Sequence, residues 1–77
     1  MTATDYIEKE ITPVKGGVVW SPHHYIFSRG YSHVHTILKV EKKKRGGEWN
    51  FLLTVRTKAP SGNIVNKSHK VWLDEID

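Results

Sequence analysis

The chain has 77 residues, a formal charge of +4 and no cysteine. A chain of that length makes one domain and buries only about 60 % of its unfolded surface. The missing cysteines exclude a disulfide framework and a thiolate metal site. No apolar stretch approaches the roughly 20 residues that cross a bilayer. Residues 1–5 carry neither the basic segment nor the apolar run of a leader peptide. A cytoplasmic protein without membrane contact is therefore expected.

Valine and isoleucine number 14 against 6 for alanine and leucine. β-Branched side chains are stiff at χ1 and suit a pleated surface, so strands should dominate. In chain order, residues 1–12 read as an N-terminal arm. Asp5 could cap a short helix with Glu8 at its third position; otherwise Ile7, Lys9 and Ile11 line one side of an edge strand. The extended arm is the reading taken here, with a helical turn as its alternative. Pro13, Gly16 and Gly17 make a turn. Residues 17–20 form a short strand, which Pro22 ends because it cannot donate to a ladder. Residues 23–27 form the next strand and Gly30 a turn.

The centre is a long hairpin. Strands over residues 31–40 and 49–57 flank a loop at 41–48, and both alternate with the period of two that marks a half-buried strand. In the second strand Trp49, Phe51, Leu53 and Val55 share the apolar face. In the first, Val34, Thr36, Leu38 and Val40 are assigned inward. Tyr31, His33, His35, Ile37 and Lys39 are assigned to the polar side. Pro60 and Gly62 mark the next turn. The last strand runs from Ile64 to Leu73, with a bulge near residues 66–68 that turns both Ile64 and Val71 inward. Residues 74–77 are expected to be a frayed acidic tail, apart from Ile76. The sum is an all-β domain of about five antiparallel strands, closed into a small SH3-like or OB-like barrel or strongly twisted as a sheet. Trp20, Trp49 and Trp72 fall in separate strands, able to meet in one core or to leave one ring exposed.

Charge is distributed unevenly. Residues 15–58 hold nine basic and two acidic side chains, whereas residues 1–12 and 67–77 are net acidic. A basic centre is the electrostatic footprint of a polyanion binder. Lys42, Lys43, Lys44 and Arg45 form a run of like charge that repels itself, and a phosphate backbone is its natural counter-charge. Arg56, Lys39 and Lys58 extend it. His33, His35 and Tyr31 are secondary contacts, and Tyr25, Phe27, Tyr31 and Trp72 are candidates to stack on bases.

Catalytic signals are thin. No serine sits in a nucleophile elbow, and the interior lacks a carboxylate pair for acid–base work. His33, His35 and Arg56 are the one group a histidine-based nuclease could draw on. His33 and His35 also have the H-x-H spacing of a metal pair, but no neighbouring carboxylate completes a site. The expectation is a non-enzymatic protein without metal or cofactor that contacts nucleic acid. The alternative is a protein-docking module, an inhibitor or adaptor that engages a protein partner through an edge strand and an aromatic patch. No residue pattern separates a monomer from a homodimer.

Overall fold

The structure, a computed structural model, describes residues 2–21 and 33–76. The strand expected at 23–27, the turn at Gly30, and Tyr25, Phe27 and Tyr31 lie outside the described residues. Within them a short helix, α1 (Ala3–Glu8), precedes four strands: β1 (Val18–Trp20), β2 (Val34–Arg45), β3 (Glu48–Lys58) and β4 (Ile64–Trp72). The strands form one antiparallel sheet in the order β1-β2-β3-β4. The sheet is open, so the closed barrel of five strands is corrected to a four-stranded sheet with one helix. Among the described residues no helix is long and apolar enough to cross a membrane.

The N-terminal arm is a helix because its cap lies one turn earlier than Asp5. Thr2 is the N-cap. Its Oγ1 accepts from the Asp5 N–H at 3.3 Å, and Asp5 Oδ2 accepts from the Thr2 N–H at 3.0 Å. This reciprocal pair satisfies two donors that a helix start leaves open, and the Thr2 N–H holds the Asp5 carboxyl below its usual pKa. A six-residue helix is unstable alone. Here Ala3 and Tyr6 enter the core, and the Tyr6 hydroxyl donates to the Val18 carbonyl at 3.1 Å. Past Glu8 the chain turns back: the Ile11 N–H reaches the Tyr6 carbonyl and the Glu10 N–H the Ile7 carbonyl, with Glu10 at φ 54°. These are the two bonds of a Schellman stop, with Glu10 where glycine is the usual occupant.

The core lies between α1 and one face of the sheet. Val19, Ile37, Leu53 and Val55 are fully buried there, joined by Ala3, Tyr6, Leu73 and Ile76. Leu73–Glu75 form a 3₁₀ turn whose Leu73 is buried, so the chain beyond β4 packs back on the core instead of fraying from residue 74. Gly17 sits close beneath this layer; a Cβ there would stand 3.0 Å from the Val14 carbonyl oxygen.

The facing of β2 differs from the simple alternation. Leu38 is an extra residue, since Ile37 pairs with Val55 and Lys39 with Thr54. A bulge of this kind flips the facing of everything beyond it. His35 and Ile37 therefore point into the core before the bulge, and Val40 packs against the core after it. Val34 and Thr36 take the opposite face, which corrects the assignment of His35 and Ile37 to the polar side. In β3, Leu53 and Val55 are buried and Phe51 is half-buried, while Trp49 of the same face is 62 % exposed near the hairpin end. Register shifts in β4 stand where a bulge was expected, between its pairs with Val55, Thr57 and Lys58. Val71 packs on the core, but Ile64 remains 49 % exposed. The turn at Ala59–Gly62 closes with a 2.8 Å bond from the Gly62 N–H to the Ala59 carbonyl.

Candidate nucleic-acid interface

The hairpin tip is tighter than an eight-residue loop. Arg45 pairs with Glu48, and only Gly46 and Gly47 lie between them, at φ 58° and 85°. Two positive φ values in succession suit the tight turn that fits the twist of a hairpin. The lysine run is thus strand, and alternation divides it between two sides. Lys42 and Lys44 fall on the core side, where their ammonium groups stand 5.6 and 5.3 Å from the Trp49 ring centroid. Lys39 and Lys43 fall on the other side and flank Glu41, at 3.7 and 3.9 Å from its carboxylate. Arg45 lies over Trp72 at 5.1 Å, bonds Asp74 at 3.1 Å and also grips Glu75. Folding itself thereby relieves much of the repulsion within the run.

The outer face of the sheet, opposite α1, collects a different set. Cross-strand pairing sets Lys39, Thr54 and Lys70 in one row, Thr36 and Arg56 in the next, and Val34, Lys58 and Ile64 beyond. Trp20 pairs with Val34 at one edge, and Trp72 pairs with Leu52 at the other. Directly paired residues share a face and stand about 5 Å apart across the strands. Lys39, Lys43, Arg56 and Lys58 therefore stand together with Lys70, against Glu41 and Glu48. Trp20 is 50 % exposed, whereas the guanidinium of Arg45 covers part of Trp72. The Arg56 Nε and a Glu41 carboxylate oxygen are shielded from water without a hydrogen-bond partner among the described residues. Lys70 and Trp20 were not among the sequence candidates. Only the register places them beside Lys39 and Lys58, and no local pattern encodes it.

His35 is not a surface contact. It is buried, and both its ring nitrogens are engaged: Nε2 with the Ser21 hydroxyl, and Nδ1 with Thr57 Oγ1 at 2.7 Å. Thr57 Oγ1 continues to His69 Nε2 at 2.8 Å. Two opposite orders of donation satisfy all three bonds with neutral rings. In one of them Ser21 donates to His35, the His35 Nδ1–H to Thr57, and the Thr57 hydroxyl to His69. Burial first, then the charges of His69 and His33, pushes the His35 pKa below its ordinary value. With both nitrogens hydrogen-bonded, His35 has no lone pair free for a metal, and no cluster of three His, Asp or Glu side chains suited to one occurs among the described residues.

No protein-family model, curated protein or solved structure matches this chain.

Proposed function

We propose that the chain is a non-enzymatic binding protein that takes a single strand of nucleic acid across the outer face of its sheet. The observation behind this reading is the register: it sets Lys39, Lys43, Arg56, Lys58 and Lys70 on the face opposite α1, with Trp20 and Trp72 at its two edges. Cations that track a backbone, together with aromatic rings that accept any base, make a sequence-tolerant platform for a single strand. Lys42, Lys44 and Arg45 contribute less, because Trp49 and the terminal carboxylates already engage them.

Fluorescence anisotropy with single- and double-stranded oligonucleotides across a salt series tests this. Four phosphate contacts give a slope of log K against log salt of about −3 for a single strand. Arg56→Glu with Lys58→Glu should abolish binding, and Trp20→Ala should weaken it about tenfold. Lys42→Glu with Lys44→Glu should cost far less. An anisotropy signal that never changes at low salt removes the proposal. The second reading, docking on a protein through an edge strand, draws on β4, an edge strand with Val65 60 % and Ile64 49 % exposed.

A further inference from the structure

Arg45 differs from the other cations of the outer face: its guanidinium is held by two carboxylates at once. It donates to Asp74 at 3.1 Å and to Glu75, and its Cζ stands over the Trp72 ring, 5.1 Å from the centroid. Alternation along β2 sets Arg45 on that face with Lys43, and pairing with Leu52 sets Trp72 there. The two carboxylates are neighbours in the 3₁₀ turn Leu73–Glu75. Leu73 and Ile76, on either side of them, are 3 % and 4 % exposed, and the Ile76 N–H bonds the Leu73 carbonyl. Their backbone is thus fixed to the core. Arg45 instead ends a strand beside the turn at Gly46 and Gly47, on a long side chain. The guanidinium is the part free to move.

Its bonds are also easily exchanged. The side chains of Arg45, Asp74 and Glu75 are 40, 47 and 50 % exposed, and exposed ion pairs are weak and screened by salt. A phosphate presents the guanidinium fork with the same pair of oxygens as a carboxylate does. We infer that Arg45, Asp74 and Glu75 form a latch over Trp72 that the phosphate of a bound nucleic acid opens; this rests on the reading that a single strand lies on the outer face. The phosphate takes the guanidinium from the carboxylates, Arg45 swings toward the strand, and the uncovered Trp72 ring receives a base. Asp74 and Glu75 are left in water, so opening strands no buried charge. Backbone capture and stacking are thereby coupled. A polyanion without bases opens the latch but gains no stacking.

The test uses the full chain in two arms. In the first, Trp20→Phe with Trp49→Phe leaves Trp72 as the sole tryptophan; both replaced rings are at least half exposed, so the fold tolerates their loss. Acrylamide quenching then reads the exposure of Trp72 without nucleic acid. Asp74→Asn with Glu75→Gln should raise the quenching, and so should inorganic polyphosphate added to the chain with both carboxylates in place. In the second arm, the anisotropy of a labelled single-stranded oligonucleotide is followed with all tryptophans present. Asp74→Asn with Glu75→Gln should tighten binding about fivefold. The gain should be smaller in an Arg45→Gln background, where there is no latch to open. Equal gains with and without Arg45 overturn the inference, because lost negative charge alone then explains them. Quenching that neither the two changes nor polyphosphate alters overturns it as well. If no oligonucleotide binds any variant, the outer-face reading fails, and the quenching arm still reports whether the carboxylates hold Arg45 over Trp72.

Discussion

Thr57 has one hydroxyl proton and two imidazoles to serve. With His35 and His69 neutral, the chain of bonds from Ser21 is complete. With both rings charged, two N–H groups aim at one Thr57 oxygen, and its hydroxyl proton loses its acceptor. His35 is the ring whose pKa is lowered, chiefly by burial. The sign follows from linkage: the unfolded chain takes up this proton first as pH falls. The His35 contribution is thus full above its unfolded value near 6.5 and is lost progressively as pH drops from there toward the folded value. Melting curves between about pH 7 and pH 5 should show the decline. His35→Gln should flatten it while lowering stability throughout. His35 was singled out in the sequence, but its burial was not legible there, because the Leu38 bulge that sets the facing of β2 carries no glycine or proline to announce it.

Among the elements, α1 and β2 were the hardest to read and β3 the easiest. The alternation through Phe51, Leu53 and Val55 is unbroken and gives the right inward face. Asp5 with Glu8 is the one cap weighed from the sequence, and six residues hold too little periodicity to locate the helix start. The cap geometry chooses Thr2. Thr2→Ala should then cost about 1 kcal/mol, measured as a lower urea midpoint with an unchanged slope. An unaltered midpoint would mean that the docked Tyr6, not the cap, holds this segment. The tip of the hairpin was misread as a loop because a run of four cations looks incompatible with a strand. Placed on alternating sides, beside Trp49, Glu41 and the Asp74–Glu75 pair, the cations are compatible with it.

At the scale of the molecule, strand content and a basic centre were legible from composition, since both are sums. The strand count, the openness of the sheet and the membership of each face were not. They depend on register, which is set between distant residues. The candidate interface shows the difference: Lys39, Arg56 and Lys58 were named from charge alone, whereas Lys70 and Trp20 join them only through pairing with Thr54 and Val34.

The reach of β1 has a further consequence. It pairs with β2 only at Val34, His35 and Thr36, and Gly16 and Gly17 extend the contact to Ile37. From Lys39 to Arg45 this margin of β2 meets no partner strand among the described residues, and a margin of that kind is a template for another chain. Lysine at three successive positions makes that template inhospitable, because an incoming copy would lay its own lysines alongside. Replacing Lys42, Lys43 and Lys44 with threonine, which favours strands, should therefore convert a dispersed protein into one that forms thioflavin-positive fibrils on storage, with the fold of each molecule intact at the outset. Samples that stay clear at the same concentration would show that the bare margin needs no guard.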